Sequence, residues 1–194
     1  MRQATPLSFS PDGKELLVAS NLPGTTQLFV LPGMRQVTFD EEAVTGQFLP
    51  DGRILVERDA GGNERTQLYV GDEPLVLDLR FKHDTPHAAG RTLAYSTNRR
   101  NGVDFDVVAR DLESGEERTF AFEGYVAVAA ISPDGPMTAV SLPGSMSSET
   151  PRSASTAVSP APKRRWRSRA LTTGVAAAFT VSTIPRDRPR APYG

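Results

Sequence analysis

Phe9-Ser-Pro-Asp-Gly13 runs into Leu16-Leu-Val-Ala19, and Phe48-Leu-Pro-Asp-Gly52 runs into Ile54-Leu-Val56. The same pairing of a corner with a short apolar run comes twice more. Pro86-His-Ala-Ala-Gly90 precedes Thr92-Leu-Ala-Tyr95, as a degraded copy, and Ile131-Ser-Pro-Asp-Gly135 precedes Thr138-Ala-Val140. The glycines at 13, 52, 90 and 135 are spaced by 39, 38 and 45 residues. Proline presets φ for a turn and glycine accepts the positive φ that closes it, so each copy predicts a tight corner entering a strand. A second element keeps the phase. Thr26-Gln-Leu-Phe-Val30, Thr66-Gln-Leu-Tyr-Val70 and Asp104-Phe-Asp-Val-Val108 begin 40 and 38 residues apart.

Between these elements lie Asn21-Leu-Pro-Gly24, Asp59-Ala-Gly-Gly-Asn63 and Asn98-Arg-Arg-Asn-Gly102. Asn-Gly and Gly-Gly suit tight hairpins. The runs Val37-Thr-Phe39 and Arg118-Thr-Phe-Ala-Phe122 alternate as half-buried strands do. No stretch before residue 150 has helical periodicity. About four short strands per unit of roughly 40 residues is the pattern of β-propeller blades. A β-sandwich gives no reason to repeat Pro-Asp-Gly in phase. The expectation is an all-β chain: a partial β-propeller of about three and a half four-stranded blades over residues 1–145, with corners near 9–13, 48–52, 86–90 and 131–135. A disordered or out-of-frame basic tail is expected over 146–194.

Composition agrees with that division. The 194 residues contain 22 Lys and Arg, 23 Asp and Glu, and no cysteine. Without cysteine there is no disulfide framework, thiol nucleophile or Cys-based zinc site. No window holds the roughly 18 consecutive apolar residues of a membrane helix, and the N-terminus shows no secretory h-region, so a cytoplasmic location with no membrane contact is expected. The net charge of −1 conceals two unlike parts. Residues 151–194 hold nine basic residues and one acid, a net of +8, while residues 1–150 hold 13 and 22, a net of −9.

The Ser-Pro-Asp-Gly corner followed by an apolar strand and then Gln-Leu-Phe-Val resembles the WD40-like repeat of two groups. One is the periplasmic propeller protein of the Tol–Pal system. The other is the N-terminal propeller of prolyl oligopeptidase-family serine peptidases, including acylaminoacyl-peptidase and dipeptidyl-peptidase relatives. Glu57-Arg-Asp-Ala-Gly-Gly-Asn-Glu-Arg-Thr-Gln-Leu-Tyr-Val70 is more similar to the peptidases. So is the stretch from Thr85 to Asp106, with Arg110-Asp-Leu-Glu-Ser-Gly-Glu116 after it. The resemblance implies a propeller that caps an α/β-hydrolase domain and screens which peptides reach a Ser-Asp-His triad. That domain follows the blades and needs Gly-x-Ser-x-Gly, which this sequence lacks. The expectation is a non-catalytic fragment, truncated before the hydrolase, with no catalytic residue, cofactor or metal. Its expected partners are a peptide or protein ligand and a separately encoded hydrolase domain. The alternative is a free-standing Tol-like scaffold for protein–protein interaction.

Candidate chemistry is sparse. His83 and His87, with Asp84 between them, have the spacing of a helical zinc pair, but Pro86 places them at an expected strand-to-turn junction. Glu41-Glu42 and Glu116-Glu117 are similar to the paired glutamates with which dipeptidyl members hold a substrate's free amino group. Both lie next to expected turns, where acids are simply solvated. In the tail, Lys163-Arg-Arg-Trp-Arg-Ser-Arg169 and Pro185-Arg-Asp-Arg-Pro-Arg190 have the residue types of a nucleic-acid contact. Ordinary disorder is a second reading. Translation out of frame fits better than either, since Ala, Arg, Pro and Gly have GC-rich codons and dominate the stretch, and the blade repeat stops in mid-unit around 141–151; nucleic acid is the least favoured reading. An unclosed arc is expected to expose two apolar blade faces and to be marginal or aggregating on its own.

Overall fold

A computed structural model describes residues 3–59, 61–133, 137–141 and 176–180. The described elements are all strands. The first sheet contains β1 (Ala4–Phe9), β2 (Leu16–Ser20), β3 (Gln27–Leu31) and β4 (Arg35–Gln36). The second contains β5 (Thr45–Phe48), β6 (Ile54–Arg58), β7 (Gln67–Val70) and β8 (Glu73–Val76). The third contains β9 (His83–Ala89), β10 (Thr92–Thr97), β11 (Asp106–Asp111) and β12 (Glu117–Phe120). The fourth contains β13 (Ala127–Ile131), β14 (Met137–Ser141) and β15 (Ala176–Thr180). Each sheet is an antiparallel meander with neighbours in chain order, so the repeat read from the corners is one sheet per unit.

Three apolar seams are seen. Leu17, Leu28 and Val30 of the first sheet pack with Val56 of the second and with Val44 of the linker that leads into it. Leu55 and Leu68 of the second meet Leu93, Tyr95 and Val108 of the third. Ala94 and Val107 of the third meet Val128 and Val140 of the fourth. Alternation explains the division, because neighbouring residues of one strand serve opposite seams: Leu55 one way, Val56 the other. Truncating any fully buried leucine of these seams to alanine should cost about 2–5 kcal/mol. Gly46 is required where β5 crosses the first seam. A Cβ there would lie 2.2 Å from the Leu55 carbonyl oxygen and 3.1 Å from Leu28 Cδ1.

The first strands of successive sheets are also joined by hydrogen bonds. Phe48 N–H donates to Ser8 Oγ at 2.8 Å, Gln47 Nε2 to the Pro86 carbonyl at 2.6 Å, and Val128 N–H to Thr85 Oγ1 at 3.0 Å. Thr85 holds φ at +49°, an outlier for a β-branched residue. It sits in a bulge where Thr85 and Pro86 oppose one position of β10.

Several expectations need correction. Pro86–Gly90 is not a copy of the corner: β9 continues through Pro86 to Ala89, and the turn is made at Gly90 and Arg91. Proline is tolerated there because the bulge needs no ladder donor from it. Val37–Phe39 is a linker rather than a strand. Thr38 Oγ1 accepts the Leu28 N–H at 2.9 Å, so a side chain takes over the ladder, and Phe39 is 80% exposed. Within the expected tail, Ala176–Thr180 is a strand paired with β14, from Met137 opposite Thr180 to Ser141 opposite Ala176. The rest of 146–194, including both basic clusters, lies outside the described residues, as do Asp134 and Gly135 of the fourth corner. On the side of the first sheet away from the second, Val18 and Phe29 are 4% and 5% exposed, so that end face is not bare at those positions.

Candidate binding face

Chain direction sorts the connections onto two faces. Ala4 pairs with Ser20 and Gln27 with Ser20, so the hairpin 21–26 lies at the end where β1 begins. The linker 37–44 returns to that end, where Val44 N–H donates to the Thr26 carbonyl at 3.0 Å. The hairpins 59–66 and 98–105 and the linkers 77–82 and 121–126 follow the same rule. The corners at Gly13 and Gly52 lie on the opposite face.

Each linker is held by one buried side chain at the start of the third strand. Gln27 Oε1 accepts the Asp40 N–H, and its Nε2 donates to the Asp40 and Glu42 carbonyls, at 2.9, 2.9 and 3.1 Å. Gln67 Oε1 accepts the Asp78 N–H at 2.7 Å, and its Nε2 donates to the Phe81 carbonyl at 2.8 Å. In the third sheet Asp106 has this place and accepts the Phe122 N–H at 3.2 Å. A carboxylate cannot donate, so Arg100 supplies the donors: Nε to Asp106 Oδ2 at 3.0 Å and a terminal nitrogen to the Phe122 carbonyl at 2.5 Å. The glutamines were visible in the sequence as part of a repeating pentapeptide. Their function as linker clamps was not, because the groups they hold lie 11–15 residues away.

The face gathers most of the exposed large apolar side chains, set among exposed charged ones such as Glu41, Arg65 and Arg80. Among the described residues, eight large apolar side chains are exposed, and six of them (Leu22, Phe39, Leu77, Leu79, Val103 and Tyr125) lie on its hairpins and linkers. Only Phe9 and Met34 lie elsewhere.

The residues singled out from sequence are scattered. His83 is fully buried in the second seam, edge-on to Tyr95 at 5.8 Å. Its N–H donates to the Thr66 carbonyl just as that of Val44 donates to Thr26, so the imidazole occupies a valine's place. Neither ring nitrogen has a partner, and burial pushes its pKa down to about 4, with the Arg99 charge adding to the effect. His87 is separated from it by the bulge. Their partners on β10, Thr97 and Ala94, are an odd number apart, which puts the two histidines on opposite faces of the sheet. Among the described residues no group of three His, Asp or Glu side chains is placed to hold a metal.

Asp84 is paired to Lys82 at 3.2 Å. Near them Glu57, half-buried, has its carboxyl pushed up to about 7 by burial and then by the Asp84 charge, against Lys82. Glu41 and Glu42 are exposed. Glu116-Glu117 does not behave as a solvated pair. Glu117 receives Arg99 and Arg110 at 2.9 Å and the Tyr95 hydroxyl at 3.0 Å. Burial pushes its carboxyl up, but these donors hold it below its usual range. It joins the strands of the third sheet and is not free to hold a ligand.

No protein-family model matches the chain, and no curated protein matches it. Solved structures do. TolB of Acinetobacter baumannii matches with a TM-score of 0.55 and 22% identity, over 71% of this chain and 37% of that one. A TolB-type protein of Agrobacterium tumefaciens matches with a TM-score of 0.50 and 19% identity, over 69% and 56%. An oligogalacturonate lyase of Vibrio parahaemolyticus matches with a TM-score of 0.50 and 15% identity, over 71% and 45%. At these identities the likeness is one of fold. The described sheets are part of a β-propeller, and the chain spans about half or less of the similar structures' length.

Proposed function

We propose that this chain is a binding segment of a β-propeller, offering its hairpin and linker face to a peptide or protein partner and breaking no bonds itself. The placement of six of the eight exposed large apolar side chains on that face carries the reading. Apolar exposure gathered on one side, over linkers fixed by buried clamps, is what a recognition surface needs. Within this reading we favour the front end of a peptidase-type propeller, in the cytoplasm, on the resemblance of residues 57–70 and 85–106. The hydrolase domain would then be a second partner, and substrate gating the role of the face. A free-standing periplasmic Tol-like scaffold would use the same face without a hydrolase.

Selection of displayed peptides on the intact chain tests the binding. Val103→Ser and Leu79→Ser should each weaken the selected binders at least several-fold, while Phe9→Ser on the opposite face leaves them unchanged. Equal losses from all three would overturn the assignment. The gene downstream of codon 125, read in all frames, separates the two finer readings. Resumed Pro-Asp-Gly blades leading to Gly-x-Ser-x-Gly, then Asp and His, support the peptidase; their absence supports the scaffold.

A further inference from the structure

Over the first two sheets, the exposed apolar residues of the hairpin and linker face lie on segments that adjoin one another. Leu22 is on the hairpin 21–26, Phe39 on the linker 37–44, and Leu77 and Leu79 on the linker 77–82; they are 40%, 80%, 50% and 49% exposed. Contacts join these segments in series. Val44 N–H ties the first linker to Thr26 of the hairpin. That linker meets the hairpin 59–66 at Glu42, where a Cβ on Gly62 would lie 4.0 Å from Glu42 Oε1. From the same hairpin Arg65 Nη1 donates to the Leu79 carbonyl at 3.2 Å.

Charge decides what such a stretch can take. The hairpins and linkers of the face, residues 21–26, 37–44, 59–66, 77–82, 98–105 and 121–126, hold eight acids and five bases, a net of −3. Four of the bases are already paired within the chain: Arg80 with Asp78, Lys82 with Asp84, Arg99 with Glu117 and Arg100 with Asp106. Asp40 is neutralised by Arg58 at 2.9 Å. Glu41, Glu42 and Glu64 are exposed and, among the described residues, have no ion pair. Two of them share the linker of Phe39, and the third is on the hairpin that meets it. Only Arg65 stands against them. An uncovered ring among carboxylates with no cation of their own favours an occupant that is both apolar and positive.

We propose that this stretch takes a protein segment in which lysines or arginines flank an aromatic or aliphatic side chain, with the apolar residue against Phe39 and the cations at Glu41, Glu42 and Glu64. The same carboxylates repel phosphate, which disfavours nucleic acid and anionic lipid as occupants. A small polyamine would meet the charges and leave Phe39 bare. The inference rests on the reading of the face as a binding surface and adds the partner's charge to it.

Three labelled peptides, capped at both ends, serve as probes. One is Lys-Phe-Lys-Leu-Lys-Phe-Lys, the second has glutamate for each lysine, and the third has serine for phenylalanine and leucine. By fluorescence anisotropy on the full chain at low salt, the first should bind about tenfold more tightly than either of the others. Glu41→Gln with Glu42→Gln and Glu64→Gln should weaken it about tenfold, as three modest exposed pairs together would. Phe39→Ser should weaken it several-fold, and Phe9→Ser on the opposite face should leave it unchanged. Added salt should loosen the unaltered chain's complex and have little effect on the triple variant, since it screens exposed charge. Glu41→Lys with Glu64→Lys should turn the preference towards the glutamate peptide. All these positions are exposed, so circular dichroism should show the sheets intact. No binding of the lysine peptide, equal affinity for the lysine and glutamate peptides, or binding that ignores the triple variant overturns the proposal. If Leu79→Ser and Val103→Ser still weaken a bound peptide in that event, the face remains a binding surface and only the partner's charge is wrong. If they too are without effect, both readings fall.

Discussion

The second and third sheets answer the same structural demands with different residues. Where the second enters its seam with Val44, the third enters with His83. Where β5 is regular and passes its neighbour on Gly46, β9 bulges at Thr85 and Pro86. Where Gln67 clamps a linker through one neutral amide, the third sheet divides the work between Asp106 and Arg100. The lesson is that the repeat conserves the geometry of a task and not the residue that performs it. An amide that both donates and accepts can be replaced by an acceptor and a donor on separate side chains, provided both arrive at the same linker.

The comparison breaks most severely at Gly46. Gly46→Ala drives a methyl into the Leu55 carbonyl, and backbone cannot give way as a side-chain tip does. The expected loss is about 3 kcal/mol or more by denaturant titration, at the upper end for point substitutions. The clamps come next. Gln67→Glu removes the donor without supplying an arginine and should cost about 1–3 kcal/mol, since a buried carbonyl loses its partner. Asp106→Asn keeps an acceptor beside Arg100 and should cost less. If the two were equally harmful, the division of labour in the third sheet would be wrong.

His83→Val should give a smaller effect that depends on pH. The folded value of about 4 lies below the unfolded 6.5, so stability from the neutral ring is complete above 6.5 and is lost as pH falls towards 4. The rate is at most about 1.4 kcal/mol per pH unit. Glu57 works in the opposite direction. Its value of about 7 lies above the unfolded 4.5, so its contribution is present below 4.5 and is lost as pH rises to 7. Between 4.5 and 6.5 the two offset each other in the unaltered chain. With valine at position 83 only the Glu57 slope remains, and thermal midpoints should rise as pH falls through that range. A midpoint that still falls on acidification would show that His83 is not the acid-sensitive group. The smallest effect is expected from Phe39→Ser, within about 0.5 kcal/mol in thermal or denaturant melts, because its ring is already in solvent.

What the sequence disclosed divides along the range of the interactions. The corners at Gly13 and Gly52, the hairpins and the apolar second and third strands were legible because each is set by residues within a few positions. Val37–Phe39 misled because alternation alone cannot tell a paired strand from a linker whose Thr38 side chain replaces a ladder acceptor. Pro86 misled because a bulge lets proline sit inside a strand. The candidate face was not legible at all. Leu22, Phe39, Leu79, Val103 and Tyr125 share no motif, and only the alternating direction of the strands gathers them on one side.

The bonds between first strands span 40, 39 and 43 residues, each about one repeat. No junction of this kind needs a residue made much later than the sheet it completes. At roughly 5–20 residues per second on a ribosome, a seam becomes available every few seconds. The emerging protein can therefore consolidate seam by seam, with at most one incomplete junction waiting at the exit. The fourth sheet is the exception, since β15 emerges only after a further 34 residues. A pause placed there during translation would leave β14 with an open edge, and that interval is when a chaperone would have the most to bind.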